Sequence, residues 1–305
     1  MKILLLGYSN LAKKRIIKYF IRKKYKFEVA SISHLKKIKN ASIQYSCYDT
    51  ALKKSQADII YISLPNSFHY KWANKALSLG YHVVVDKPLC GSVFELNKLI
   101  KLSIKNNKLL TEATFFNYHE QFSKTLKLIK NSSKINKIYC NFTIPMPKKN
   151  SILQSTDLNG GALMDMGPYA ASIARIFCDE KIINKNFYLE KKKKNLITSF
   201  KISINYRSKV LIGTFKFGGA YKNKLEIYTN NDLITLNRVF SPPANEYLYL
   251  TLQQKEELII HKIKKDDCFA NFFDEVIKNI KENNNEFYIH RIKFDNSFRN
   301  KVLKK

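Results

Sequence analysis

ADIIYISLPNSFHYKWANKALSLGYHVVVDKPLC, residues 57–90, is the stretch that decides the fold. Asp58–Ser63 and His82–Val85 are short apolar, β-branched runs without alternation. Strands of a parallel sheet covered on both faces read this way. Between them lies a helical pattern through Trp72–Leu79, closed by Gly80. The first strand runs into Pro65-Asn66, the second into Asp86-Lys87-Pro88. Ligands of open parallel sheets bind beyond the carboxyl ends of the strands. Asn66, His69 and Lys87 therefore fall where chemistry is expected, with the Lys87 ammonium aimed into a cleft.

The N-terminal segment repeats the pattern. Ile3–Leu6 is a strand, Gly7-Tyr8-Ser9-Asn10-Leu11-Ala12 a turn, and Lys13–Arg22 a helix with Ile16, Ile17 and Phe20 on one stripe. A strand, a glycine turn and a helix N-terminus suit a dinucleotide pyrophosphate. Only the first glycine of G-x-G-x-x-G is kept; Ser9 and Ala12 occupy the other two positions. An ordinary turn is the plain alternative for this segment taken alone. A third constellation is Asn159-Gly160-Gly161-Ala162-Leu163-Met164-Asp165-Met166-Gly167-Pro168-Tyr169, continued as a helix to Phe177. Asp165 and Tyr169 are four apart and share a helix face. Here too a structural aspartate and a core tyrosine are the plain alternative.

In order and spacing these segments resemble the Gfo/Idh/MocA oxidoreductases, and the resemblance covers nearly the whole chain. Gly7–Ala12 resembles the cofactor turn, and Leu64-Pro65-Asn66 with His69 resembles P-N-x-x-H. Asp86-Lys87-Pro88 resembles E-K-P, and Glu112-Ala113 with Asn117 and His119 resembles E-A-x-x-x-R-x-H. Gly160–Tyr169 resembles G-G-x-x-x-D-x-G-x-H/Y. The departures are Asp86 for glutamate, Asn117 for a frequent arginine, Glu120 for a frequent proline and Ser9 for glycine. The resemblance implies an α/β chain: a Rossmann dinucleotide-binding domain over 1–118, then an α+β substrate-binding and oligomerisation domain over 119–305 with a largely antiparallel open sheet. It implies Lys87, Tyr169 and Asp165 as catalytic residues. It implies cofactor contacts from Gly7, Ser9, Asn10, Leu11, Ala12, Leu64, Pro65, Asn66, His69, Asp86, Lys87 and Asn117. Tyr169 points to the tyrosine class, which includes keto-sugar reductases, rather than to histidine-bearing polyol dehydrogenases.

After the second strand, Ser31-Ile32-Ser33-His34-Leu35-Lys36-Lys37 carries no acid for the ribose hydroxyls of NAD. Ser33, His34 and Lys37 suit a 2′-phosphate, so NADP(H) is favoured, with NAD(H) possible. A solvated loop histidine is the competing reading of His34. The expected substrate is a sugar ketone or alcohol, plausibly nucleotide-linked. The alternatives are a polyol or inositol-type dehydrogenase and a non-catalytic NAD(P)-binding sensor.

The chain has 305 residues, a length for two domains. Its formal net charge of +30 invites a nucleic-acid reading. The basic clusters, however, are scattered over different elements without a stripe of exposed aromatics, so no nucleic-acid partner is expected. A charge of this size steers anionic ligands. No apolar run has transmembrane length, and Met1-Lys2 leads straight into a core strand, leaving no room for a signal peptide. Five scattered cysteines show no metal-ligand spacing and no disulfide framework. A cytoplasmic, metal-free chain is expected, and the family resemblance implies a homodimer or homotetramer joined through the C-terminal sheet. The map places strands at Lys2–Leu6, Phe27–Ile32, Ile43–Tyr45, Leu109–Glu112, Lys137–Ile144, Ile197–Asn205, Lys209–Lys216, Lys224–Thr229, Asp232–Asn237 and Glu246–Lys262. It places helices at Glu120–Asn131 and Asp266–Lys281, and loops at Lys191–Lys194 and Asn283–Asn285.

Overall fold

Six parallel strands form the first sheet: β1 (Lys2–Leu6), β2 (Lys26–Ala30), β3 (Ile43–Tyr45), β4 (Ile59–Ile62), β5 (His82–Asp86) and β6 (Leu110–Ala113). The order β3-β2-β1-β4-β5-β6 is that of a dinucleotide-binding Rossmann sheet. The structure is a computed structural model that describes residues 1–33, 36–130, 134–178, 180–191 and 195–303. Two compact units result: Met1–Ala113 with Phe272–Ser297, and Thr114–Asn271 with Phe298–Lys305. The first boundary lies five residues before the expected 118/119. The chain also returns to the first unit near its C-terminus, which a single cut at 118 does not provide for.

In the first unit the absence of alternation has its expected cause. Ile59–Ile62 and Val83–Val85 are all buried, since both faces of the sheet are covered. Burying each such side chain contributes about 1.5–3 kcal/mol. The helices are α1 (Ile17–Arg22), preceded by a π-helical Ala12–Ile16, then α2 (Tyr48–Lys54), α3 (His69–Ser78) and α4 (Val93–Lys105). α3 starts three residues before the expected Trp72, so His69 opens the helix. α4 is set by a capping box in which Ser92 and Glu95 satisfy each other's backbone amides.

The second unit contains α5 (Glu120–Lys130), β7 (Ile135–Ile144), α6 (Ala162–Phe177) and then β8 (Ile182–Lys191), β9 (Ile197–Tyr206), β10 (Val210–Phe217), β11 (Lys222–Thr229), β12 (Asp232–Asn237), β13 (Leu248–Gln254) and β14 (Glu257–Ile263). Its sheet runs β14-β13-β12-β11-β7-β10-β9-β8, antiparallel except at β7–β10. Burial in β10 alternates residue by residue, which marks one covered face. Two expectations fail here. The single strand expected over 246–262 is a hairpin, broken at Lys255, whose φ is +51°. β8 was not expected, and Lys191, assigned to a loop, ends it; residues 192–194 lie outside the described residues. Two further helices, α7 (Cys268–Lys281) and α8 (Glu286–Lys301), close the chain. Ile289 and Ile292 of α8 join the core of the first unit.

Candidate active site

The strand order reverses between β1 and β4, which is where a doubly wound sheet opens a crevice. Gly7 sits there with φ +99°. A Cβ on it would stand 2.2 Å from the Ser63 carbonyl oxygen. Both the angle and the close approach demand glycine. Ser9 caps the turn, its Oγ accepting Ala12 N–H at 3.0 Å and lying 2.7 Å from Ser63 Oγ. Asn10 is exposed, Leu11 half-buried and Ala12 buried. Leu64 is buried, and Pro65 and Asn66 are half-buried just past β4. The glycine cradle at the switch point fits a dinucleotide held by Gly7–Ala12 and Leu64–Asn66.

Lys87, half-buried, follows β5, and the backbone is tied on both sides of it. Before it, Asp86 accepts from Tyr61 Oη and, at 2.6 Å, from Ser63 Oγ. After it, the Pro88 carbonyl is 2.7 Å from His69 Nδ1, and Leu89 N–H donates to Glu112 Oε2 at 2.7 Å. His69 Nε2 lies 2.8 Å from the Leu64 carbonyl. His69 is fully buried. Both of its nitrogens lie against the two strand-end loops and join them. Burial pushes the Asp86 carboxyl above its ordinary value, while Ser63, Tyr61, His69 and Lys87 act the other way. Burial, and then Asp86, push the Tyr61 hydroxyl well above the usual tyrosine range. Ser33 and Lys37 are exposed in the loop after β2. His34 lies outside the described residues.

In the second unit, Gly160 and Gly161 admit the start of α6. A Cβ on Gly160 would meet the Ile152 carbonyl at 2.4 Å, and Gly161 has φ +98°. Asp165 is in the first turn and Tyr169 one turn on, both half-buried. The Tyr169 ring centroid lies 5.4 Å from Phe116, 5.5 Å from Phe142 and 5.4 Å from Phe240. Three aromatic contacts fix the ring while the residue keeps some exposure. Asn117 belongs to this unit, and its Oδ1 is buried without a hydrogen-bond partner.

Residues 1–114 match the Gfo/Idh/MocA model, described as an oxidoreductase family with an NAD-binding Rossmann fold. The match spans the first domain, and residues 1–114 are similar to that family. Among curated relatives, the dTDP-3,4-didehydro-2,6-dideoxy-alpha-D-glucose 3-reductase of Actinomadura kijaniata is 25% identical over 227 residues, 73% of this chain and 68% of the relative. The D-xylose 1-dehydrogenase (NADP(+)) 2 of Haloferax volcanii is 31% identical over 135 residues, 44% of this chain and 42% of the relative. A 3-ketoreductase from Actinomadura kijaniata, solved with NADP and TDP-benzene, shares the fold at a TM-score of 0.92 and 21% identity, covering 99% of this chain and 97% of that one.

The site residues that sequence reasoning missed are Tyr61 and Ser63. They stand two apart, Tyr61 in β4 and Ser63 in the extended residue just past its end, so they share a face. The register that pairs Ile62 with Val85 brings their end of β4 beside Asp86. Hydroxyls at i and i+2 in an otherwise apolar strand, beside a strand that ends in an acid, are the signal. Among the described residues no group of three His, Cys, Asp or Glu side chains is placed to hold a metal ion, and no helix is long and apolar enough to cross a membrane.

Proposed function

We propose that this chain is a Gfo/Idh/MocA oxidoreductase, an NADP(H)-dependent reductase of a nucleotide-linked keto-sugar. The bound cofactor supplies the hydride that reaches the ketone carbon. Tyr169 donates the proton that the carbonyl oxygen takes up, and the Lys87 ammonium favours the developing alkoxide. A free tyrosine, with a pKa of about 10, is a reluctant donor near neutrality, and a cation at the carbonyl oxygen eases the transfer. Asp165, one helical turn before Tyr169, orients a substrate hydroxyl. Gly7–Ala12 and Leu64–Asn66 hold the pyrophosphate and nicotinamide end. Ser33, Lys37 and, by sequence, His34 receive the 2′-phosphate, while the orphaned Asn117 Oδ1 accepts a hydrogen bond from bound cofactor or substrate.

The observation that carries this reading is Lys87, whose loop is fastened immediately before and after it. A surface lysine needs no such fixing. The identity of the dTDP-sugar reductase relatives supports a nucleotide-linked substrate, and the net charge of +30 suits a polyanion. We assign the protein to the cytoplasm, as a homodimer or homotetramer joined through the open face of the second sheet. The test is a spectrophotometric assay with NADPH and dTDP-linked 3-keto sugars, beside free aldoses and inositol. Reduction of the nucleotide-linked ketones is the expected result. Oxidation of free inositol or xylose in preference to them overturns the substrate class.

A further inference from the structure

Two positions where this chain departs from the motifs it resembles are the two ends of one hydrogen-bonded chain. Ser9 stands where the fingerprint has its second glycine, and Asp86 where the E-K-P motif has its acid. Ser63 lies between them. Ser63 Oγ donates to Asp86 Oδ2 at 2.6 Å. A hydroxyl has one proton, so with Asp86 ionised Ser63 has none left for Ser9. Ser9 is therefore the donor across the 2.7 Å contact with Ser63. Ser9 Oγ in turn accepts Ala12 N–H at 3.0 Å. The direction is fixed throughout: from the Ala12 amide through Ser9 and Ser63 to the carboxylate, each donation polarising the next. Tyr61 supplies the other carboxylate oxygen.

We propose that Ser63 is a positioning residue that ties the ionisation of Asp86, and with it the charge balance at Lys87, to the cofactor turn. The proposal rests on the reading of Lys87 as the catalytic cation. Aspartate is one methylene shorter than glutamate, and hydroxyls from β4 come to it at the strand end. Burial alone drives such a carboxyl towards the neutral form, and the donated hydrogen bonds oppose this. The titratable groups that act on it are Tyr61 from β4, His69 from α3 and Lys87, the next residue. A neutral Asp86 withdraws an anion from beside Lys87.

The test reads Asp86 directly. Carbon-13 labelling of aspartate carboxyls, with the signal assigned by its loss in Asp86→Asn, gives its titration midpoint in the full chain. Ser63→Ala is expected to raise that midpoint by about one pH unit, and Ser63→Thr to restore it. Ser9→Gly is expected to raise it less, and to add nothing in the Ser63→Ala background, because both act along one path. An unmoved midpoint in folded Ser63→Ala, or additive shifts from the two variants, overturns the proposal. Should Ser63→Ala not fold, Ser9→Gly alone decides: an upward shift supports the chain, none overturns it. These readings need no turnover. Shifts without any keto-sugar reduction leave the network standing and sink only the catalytic reading of Lys87. With turnover, the acid limb of kcat in Ser63→Ala should move up by the same shift. A lower kcat on an unmoved pH profile marks a merely structural serine and also overturns the proposal.

Discussion

In the first unit the candidate lysine sits on a loop fastened by single polar atoms: a carboxylate oxygen of Glu112, a ring nitrogen of His69, the hydroxyls of Ser63 and Tyr61. In the second unit the candidate tyrosine rides on α6, and its ring is fixed by Phe116, Phe142 and Phe240. The two anchorings fail differently. A hydrogen-bonded loop loses its aim when one atom is removed, because a buried partner is left unsatisfied. A packed ring keeps its dispersion and area burial when its hydroxyl goes, because both stay with the carbons. Chemistry and stability should therefore be inseparable around the lysine's loop and separable at the tyrosine.

The largest expected effect is at Lys87 itself. Lys87→Ala removes the cation that favours alkoxide charge and should lower kcat about a thousandfold. Steady-state kinetics on a verified keto-sugar, with thermal unfolding alongside, checks this. Full turnover in a folded variant breaks the comparison at its first term.

Next comes the separation at Tyr169. Tyr169→Phe should cost about a hundredfold in kcat while the packed ring keeps most of its stability. Tyr169→Ala should in addition lose about 3–5 kcal/mol of stability, because the aromatic cluster is left with a cavity. Urea unfolding of the two variants distinguishes them. Equal stability losses would show that the hydroxyl, not the ring, holds the residue.

A smaller effect belongs to the exposed loop after β2, which neither anchoring governs. Ser33→Asp places an anion where a 2′-phosphate is proposed. It should shift preference from NADPH towards NADH by about tenfold, a difference of about 1.4 kcal/mol. Fluorescence titration of both cofactors measures it, and an unshifted ratio removes Ser33 from the phosphate site.

The smallest effect concerns acid. In the first unit, burial and then Lys108 push His82 down to about 4, and its Nδ1 accepts Leu109 N–H at 3.0 Å. Because the unfolded state takes up the proton first, this stabilisation is whole above the ordinary 6.5 and is lost as pH falls from there to about 4. In the second unit, the Ser208 hydroxyl, then Lys209 and the Ser208 amide, hold Glu180 down at about 2. That contribution is whole above 4.5 and is lost between 4.5 and about 2. Amide exchange corrected for intrinsic rates should show Leu109 losing protection at higher pH than Ser208. The opposite order would break the assignment.

The sequence was most legible where a single physical rule acted alone. β1 and β12 keep the expected limits because their largely buried runs end at polar turns; β3 keeps its limits too. β8, INKNFYLEK after its first isoleucine, was hidden because an edge strand exposed along much of its length carries little periodic apolar signal. The β13–β14 turn was hidden because Lys255 takes the left-handed conformation that glycine or asparagine usually announces. α8 escaped because it buries Asp295 and Asn296 among its apolar residues, which blurs any stripe. At the site, Gly7 and Lys87 were legible from motif and strand end together. Ser63 and Tyr61 were not, since a hydroxyl inside a buried strand reveals its purpose only once its neighbour in the sheet is known.

The place of β7 has a consequence for how the second unit comes into being on the ribosome. This strand is the first of its sheet to be synthesised, yet it ends up near the middle, between β11 and β10. Neither of its edges can find its native partner until the chain has been extended past Val210 and Lys222. β8 and β9, by contrast, pair with each other in chain order. A nascent chain paused between α6 and β10 therefore carries a strand with two open edges, the state in which β-segments from different chains join. Slow, non-local closure of this sheet should set the folding rate of the whole molecule. Translation pauses placed before residue 210 should lower its soluble yield more than pauses placed after residue 229.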